Sequence, residues 1–159
     1  MWFQIRAYSG DGSIRYCSTI TGGGYAIRFP KFDPAHAYTA SYRLSHLPSV
    51  SPTWHPLIYL RFEGDYSFHE LQRLQTQWDG SVTLKLVSDR GRVLKLGKIL
   101  LPSATLTALG NVFGFYDAVE TRLPVGAGGN YTLEVTYDPG TASIPADSLF
   151  FELNVCPYY

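Results

Sequence analysis

Two adjacent residues, Trp54 and His55, are the strongest candidates in this sequence for contact with another molecule. They lie in the segment from Leu47 to Pro56, whose three prolines preclude regular secondary structure. An aromatic ring in an exposed loop can anchor a protein partner or stack on a sugar, and an imidazole can donate or accept a hydrogen bond. The alternative is that Trp54 folds back over the end of the domain and belongs to its packing.

A second candidate is a group of basic residues along one predicted hairpin: Arg90, Arg92, Lys95 and Lys98. Such a cationic surface can attract an anion or an acidic partner. The same charges are also typical of an edge strand that resists aggregation. The predicted partner-binding residues are Trp54, His55, Arg90 and Arg92.

The sequence carries no recognisable catalytic or metal-binding motif. It has no Gly-x-Ser-x-Gly and no His-Glu-x-x-His, and its glycine-rich stretches at 22–24 and 126–129 lack the Gly-Lys-Ser/Thr ending of a phosphate loop. The four histidines do not have metal-ligand spacing. Glu63 and Asp65 could help to hold calcium, but two acids in a loop are more often solvated side chains. We therefore predict a non-enzymatic protein with no catalytic residues, no metal and no cofactor.

Only two cysteines are present, Cys17 and Cys156, near opposite ends of the chain. In an oxidising compartment they can form a disulfide that closes a loop of roughly 140 residues and restricts the unfolded chain. The alternative is two free, half-buried thiols. We predict that the two residues lie within bonding reach.

Composition limits the classes of partner. The chain has 159 residues, consistent with one domain over 1–159, and its 15% aromatic residues favour strands. Thirteen basic residues balance thirteen acidic ones, which argues against nucleic acid and anionic membrane as partners. No apolar run approaches the roughly 20 residues of a transmembrane helix. Residues 2–6 alternate like a strand, so we expect no signal peptide in this sequence, and Met1 to be an added start.

The elements that must position these residues are mostly strands. Two of them, at 131–137 and 149–155, show clear alternation of apolar and polar residues, and the rest of the chain is expected to be laid against this pair. The most apolar strand, Leu57 to Phe62, is expected to be central. Residues 104–109 could be a helical turn, 112–116 a strand, and 119–123 a short strand.

One helix is predicted at about 68–77. Ser67 and Glu70 have the spacing of a capping box, and Phe68, Leu71 and Leu74 are expected to bury one face against a sheet. Many short strands, regular glycine and proline breaks and one helix predict an all-β, antiparallel β-sandwich of immunoglobulin-like or jelly-roll type.

Residues 57–155 resemble an uncharacterised family of small proteobacterial lipoproteins built around one domain of unknown function. The resemblance rests on Leu60-Arg61-Phe62, on the Leu71, Arg73 and Leu74 helix, and on the Val82–Leu86 strand. It continues through Leu123-Pro124, Gly-Asn-Tyr-Thr-Leu-Glu-Val at 129–135 and the strand at 149–155. The family's lipid-attachment cysteine is missing. The resemblance implies a periplasmic, membrane-tethered binding domain, for which the role of an immunity protein against a delivered toxin would be suitable.

The sequence therefore predicts a binding module of the periplasm or cell envelope that recognises a protein partner. Two alternatives remain open. The first is a carbohydrate-binding domain, because of the many aromatic residues, and the second is a structural subunit of a larger assembly. A flat exposed row of aromatic rings would favour the sugar, and a long unpaired edge strand would favour assembly by strand addition.

Overall fold

The computed structural model describes residues 7–17, 24–50, 54–142 and 146–156. In these residues the chain forms two antiparallel sheets with one helix. The strands are β1 Ser13–Tyr16, β2 Tyr25–Arg28, β3 Tyr38–Ser45, β4 Leu57–Glu63, β5 Ser81–Ser88, β6 Val93–Leu100, β7 Thr105–Leu109, β8 Val112–Tyr116, β9 Asn130–Asp138 and β10 Phe150–Asn154, with helix α1 at Phe68–Gln77 and a 3-10 helix at Leu101–Ser103. The predicted antiparallel β-sandwich with a helix at 68–77 is thus confirmed.

The two sheets divide the strands unevenly. One has six strands in the order β1-β2-β10-β4-β8-β7, and the other has four in the order β3-β9-β5-β6. The two strands that dominate the sequence pattern, β9 and β10, do not pair with each other. Each is an inner strand of a different sheet, β9 between β3 and β5 and β10 between β2 and β4. Strands β9 and β10 therefore organise the fold because each supplies an inner strand to one of the two sheets.

The core lies between the two sheets. Alternating residues of each inner strand meet there, and the predicted central strand β4 contributes Ile58, Leu60 and Phe62. In β9 the predicted alternation is visible as burial of every second side chain from Leu133 onwards. β10 is different, since Phe150 and Glu152 are as buried as their neighbours. Both faces of β10 are thus removed from water.

Helix α1 begins with the predicted capping box. Ser67 Oγ accepts a hydrogen bond from the Glu70 amide at 3.2 Å, and Glu70 Oε2 accepts one from the Ser67 amide at 3.1 Å. Leu71 is buried as predicted, whereas Phe68 is 41% exposed, so its predicted burial is wrong. The buried stripe runs through Leu71, Gln75 and Trp78, because Gln75 donates to the Leu101 carbonyl at 2.9 Å. Phe68 lies on the same side of the helix as Gln75, but it is the first residue of the helix and remains partly exposed there.

Two local predictions are decided by longer-range contacts. Residues 105–109 form strand β7 and not a helical turn, because they pair with β8 across the Gly110-Asn111 turn. The short strand predicted at 119–123 is wrong. Asp117 Oδ1 accepts the amides of Val119 and Glu120, each at 2.8 Å, and the backbone folds into a turn there. Only an isolated bridge, Leu57 to Arg122, remains of the predicted strand.

A disulfide joins Cys17, just after β1, to Cys156, just after β10, with their Cα atoms 5.8 Å apart. The predicted bond is confirmed. Because β1 and β10 both pair with β2, one on each side, the two cysteines are brought to the same end of the six-stranded sheet. The strand predicted at 2–6 lies outside the described residues. Within those residues, no helix has the length and hydrophobicity needed to cross a membrane.

Candidate functional site

An open cleft of about 640 Å³ lies where the loop before β4, the strand β6 and the β8–β9 connection meet. The loop before β4 contributes Trp54, His55 and Pro56, and residues 51–53 of the same predicted loop lie outside the described residues. Trp54 is partly buried and His55 is exposed. The lining residues are Val50, Trp54, His55, Pro56, Lys95, Ala118, Val119, Arg122, Leu123, Pro124, Val125, Gly126 and Ala127.

The floor of the cleft is fixed by backbone hydrogen bonds between two segments distant in sequence. The Leu123 amide donates to the Pro56 carbonyl at 2.9 Å, and the Ile58 amide donates to the Thr121 carbonyl at 2.9 Å. These bonds continue the antiparallel bridge between Leu57 and Arg122. The side chains on either side of the bridge are therefore held next to each other.

The contact that results is between Arg122 and His55. Arg122 Nη2 lies 2.6 Å from His55 Nδ1 and 2.7 Å from Nε2. A guanidinium group can only donate, so an unprotonated ring nitrogen must accept. The partner of Arg122 in this contact is thus a ring without a negative charge.

The turn from Asp117 to Thr121 forms a second wall. Thr121, which is buried, donates through its hydroxyl to the Asp117 carbonyl at 2.6 Å, and the Asp117 amide donates back to the hydroxyl at 3.0 Å. Hydrogen bonds from the Glu120 and Val119 amides, helped by the charge of Lys95, hold the pKa of Asp117 below its usual value. The carboxylate is thus committed to the turn, and Val119 is left 68% exposed at the rim.

Strand β6 is packed tightly against this turn. Lys95 Nζ donates to the Val119 carbonyl at 2.8 Å. Two residues later, a Cβ at Gly97 would collide with the Glu120 carbonyl, so only glycine fits without a shift of the backbone. Lys95 is therefore held at the cleft by a neutral carbonyl oxygen.

The third wall, residues 124–129, is tied to the start of the proline-rich loop. The Gly128 amide donates to the Leu47 carbonyl at 2.7 Å, and the Gly126 amide donates to the Tyr131 hydroxyl at 2.9 Å. Gly128 has φ +71°, a left-handed conformation that favours glycine. The apolar residues of this wall, Pro124 and Val125, are thus presented on a fixed backbone.

The lining is basic and lacks an acid. Lys95 and Arg122 are its cations, and all thirteen Asp and Glu residues of the chain belong to the described residues, none of them in the lining. Neither Lys95 nor Arg122 takes part in the ion pairs found among the described residues. Among the described residues, neither cation of the cleft thus has a carboxylate within ion-pair distance.

The predicted partner-binding residues are divided by the structure. Trp54 and His55 both line the cleft. Arg90 and Arg92 are exposed at the tip of the β5–β6 hairpin, where the Arg92 carbonyl accepts from the Ser88 amide, and neither lines the cleft. The hairpin reaches the cleft through Lys95 instead. Arg122 could not be identified as a site residue from the sequence, because 67 residues separate it from His55.

The calcium alternative at Glu63 finds no support in the side-chain contacts. Glu63 Oε1 is 3.0 Å from Arg28 Nη1, so an arginine already occupies the position where a cation would bind. Across the described part of the chain, no three His, Cys, Asp or Glu side chains are grouped closely enough to hold a metal ion.

No protein-family model and no curated protein matches this sequence. Among solved structures, the fold is similar to that of CBM27-1 from Caldicellulosiruptor saccharolyticus, crystallised in complex with mannohexaose. The similarity has a TM-score of 0.37 and 9% sequence identity, over 97% of this chain and 84% of that chain.

Proposed function

We propose that this protein is a non-enzymatic binding module of the cell envelope that recognises a protein partner through the cleft at Trp54. The cleft is the observation that carries the proposal. Its walls combine Trp54 and apolar residues with the hydrogen-bond donors of Arg122 and Lys95, as recognition sites in proteins commonly do. Its backbone is held by hydrogen bonds on three sides, which lowers the entropy lost when a partner docks.

The lining chemistry supports binding over catalysis. Among the described lining residues there is no Asp, Glu, Ser, Thr or Cys that could act as a nucleophile or as a carboxylic acid–base group. His55 is the one imidazole among them, and it contacts Arg122, which cannot accept a proton from it. A catalytic base needs a partner that orients it by accepting its N–H.

The location in the cell envelope is supported by the disulfide. Bonds of this kind persist in oxidising compartments such as the periplasm and the extracellular space, and are rare in the cytosol.

Within this proposal, the role of an immunity protein makes a narrower claim, namely that the partner is a toxin delivered by a neighbouring cell. It would require that production of this protein restores growth of cells exposed to that toxin, and that the Trp54→Ala variant does not.

The test is a parallel screen of a peptide display library and a glycan array with the wild type, Trp54→Ala and Tyr16→Ala. Tyr16 is a matched control because it is 59% exposed and lies on β1, outside the cleft lining. We expect Trp54→Ala to weaken the selected interaction at least about thirtyfold, the effect of losing an interface hot spot, with little loss of stability. Tyr16→Ala should bind like the wild type.

Equal affinity of the wild type and Trp54→Ala would contradict the proposed site. If Trp54→Ala simply unfolds, Trp54 belongs to the packing of the domain.

A carbohydrate partner is the second candidate, and it is favoured by one feature. Trp54, which is partly exposed, lines the same cleft as the donors of Arg122 and Lys95, and sugars are bound by a stacked ring with hydrogen bonds to their hydroxyls. Enrichment on the glycan array with no enrichment of peptides would establish this candidate over the first.

Assembly by strand addition is less favoured, because the eight-residue edge strand β6 carries Lys95 and Lys98, charges that discourage pairing.

A further inference from the structure

Resting on the proposed function, we propose that the cleft recognises a carboxylate of the partner protein, and that Arg122 and Lys95 are the two groups that bind it.

Arg122 presents hydrogen-bond donors at the cleft. Its guanidinium has five N–H groups, of which those on Nη2 face the ring of His55. Arg122 is exposed, and the bridge with Leu57 fixes its backbone at the cleft. A planar guanidinium binds a carboxylate through two parallel hydrogen bonds, and this geometry is its strongest pairing.

Lys95 is the second cation of the cleft. The neutral carbonyl of Val119 holds its ammonium group at 2.8 Å, which uses one of three donors and leaves the charge uncompensated at contact distance. The charge of Lys95 contributes to the lowered pKa of Asp117. However, the Asp117 carboxylate accepts two backbone amides inside its own turn, so it does not occupy the cleft.

The positive charge of the cleft contrasts with the overall charge of the protein. Thirteen basic and thirteen acidic residues give a net charge of zero, so the basic lining is a local excess and not a consequence of a basic protein. The apolar surfaces of Trp54 and Val125 border the same space. The best match is therefore an extended peptide segment in which an acidic group is flanked by apolar side chains.

The experiment uses three peptides in an NMR titration of the isotope-labelled protein. Ac-Leu-Glu-Leu-amide carries a side-chain carboxylate, Ac-Leu-Gln-Leu-amide carries none, and Ac-Leu-Gln-Leu with a free end carries only a terminal carboxylate. We expect either or both of the carboxylate peptides to bind at least about tenfold more tightly than the neutral one, because hydrogen bonds to charged groups are the stronger kind. The stronger of the two identifies the source of the carboxylate.

The variants separate contact from long-range attraction. Arg122→Gln and Arg90→Gln remove the same charge, but only Arg122 lines the cleft. We expect Arg122→Gln to abolish the tenfold preference for the carboxylate, Lys95→Gln to reduce it, and Arg90→Gln to leave affinity within about twofold.

Four outcomes would overturn the inference. If the neutral and acidic peptides bind equally and Trp54→Ala weakens the binding of both, the proposed function is supported and only the recognition of a carboxylate is contradicted. Equal effects of Arg90→Gln and Arg122→Gln would mean that long-range electrostatic attraction, and not contact with Arg122, causes the preference for the carboxylate. In the same NMR titration with a galacturonate oligomer as a fourth probe, tighter binding of this oligomer than of any of the three peptides would assign the cleft to an acidic glycan. No shift of cleft residues with any probe would remove both the inference and the proposed function.

Discussion

Two groups of cationic side chains in this protein, one in the six-stranded sheet and one in the cleft, differ in the partners that contact them. In the six-stranded sheet, the buried Glu152 carboxylate lies 2.7 Å from Arg61 Nε and 2.8 Å from Arg28 Nε, and it also accepts from Asn154. Arg28 pairs in turn with Glu63. In the cleft, by contrast, Arg122 and Lys95 contact a histidine ring and a backbone carbonyl.

Burial explains why the first cluster needs its carboxylates. The side chains of Arg61 and Glu152 are only 8% and 2% exposed, and a buried charge without a partner costs several kcal/mol. The Arg61 guanidinium also stacks on the Tyr59 ring at 4.3 Å from its centroid. Arg61 Nε, although close to Glu152, does not meet hydrogen-bond geometry, so the pair is held by charge and packing more than by direction.

Exposure explains why the second cluster tolerates the lack of carboxylates. Water solvates Arg122, so the fold loses little by leaving its charge unpaired. The first cluster therefore serves stability, whereas the exposed cations of the cleft contribute little to it. Under the proposed function, substitutions in the first cluster should cause large losses of stability, and substitutions in the second should cause losses of binding alone.

The largest effect is expected from Glu152→Gln. Removing the negative charge leaves Arg61 buried and unpaired, at a cost of about 3–5 kcal/mol in the free energy of unfolding, measured by urea denaturation. Glu134→Gln is the matched control. Glu134 pairs with Lys85 at 3.5 Å, but both side chains are nearly half exposed, so the loss should be below about 1 kcal/mol. Similar losses for the two variants would mean that burial does not determine the cost of removing the carboxylate of an ion pair.

The next effect is expected from Gly97→Ala, which tests how rigidly the cleft is built. The new methyl group would collide with the Glu120 backbone, and relief of such overpacking costs about 1–3 kcal/mol. Displacement of the 117–121 turn should also weaken ligand binding. In Gly126→Ala the new Cβ would lie 3.8 Å from the Tyr131 hydroxyl, an ordinary contact, so stability should change by less than about 0.5 kcal/mol. A stable Gly97→Ala with unchanged binding would show that the wall is not fixed by β6.

A smaller effect on stability is expected from Arg122→Gln, the counterpart of Glu152→Gln in the cleft. An exposed arginine that contacts the His55 ring should contribute no more than about 0.5 kcal/mol to the free energy of unfolding, by the same urea measurement. The substitution should act on ligand binding alone. A loss above about 2 kcal/mol would place Arg122 among the groups that hold the fold and would weaken the distinction between the clusters.

Local sequence patterns were sufficient for much of the fold. The cap of α1 depends on two residues three apart, Ser67 and Glu70, and strands β5 and β9 follow strict alternation, so both could be predicted. The disulfide was predictable because the chain offers a single pair of cysteines. The assignment of β9 and β10 to different sheets was not predictable, because the residue pattern of one strand does not indicate which strand it pairs with.

The candidate site was only half predictable for a related reason. Trp54 and His55 could be identified from their residue types within a proline-rich loop. Arg122 lies in a stretch whose alternation indicated a strand, and the Asp117 turn that places it at the cleft depends on side-chain hydrogen bonds to the backbone. The contact of Arg122 with His55 exists only after β4 and the β8–β9 connection have come together.

The smallest effect is expected at low pH, where the turn from Asp117 to Thr121, one wall of the cleft, should lose part of its stability. Hydrogen bonds from the Glu120 and Val119 amides favour the ionised Asp117, so its folded-state pKa lies below the ordinary value of 3.8. A carboxyl with a lowered pKa stabilises the fold above the unfolded-state value and loses that contribution as the pH falls through the folded-state pKa. Asp117→Asn keeps an acceptor oxygen but removes the charge. The difference in melting temperature between the wild type and Asp117→Asn should therefore be constant from pH 7 to 5 and should shrink below about pH 3.8. A difference that persists unchanged to pH 2 would mean that the shape of the side chain, and not its charge, holds the wall of the cleft.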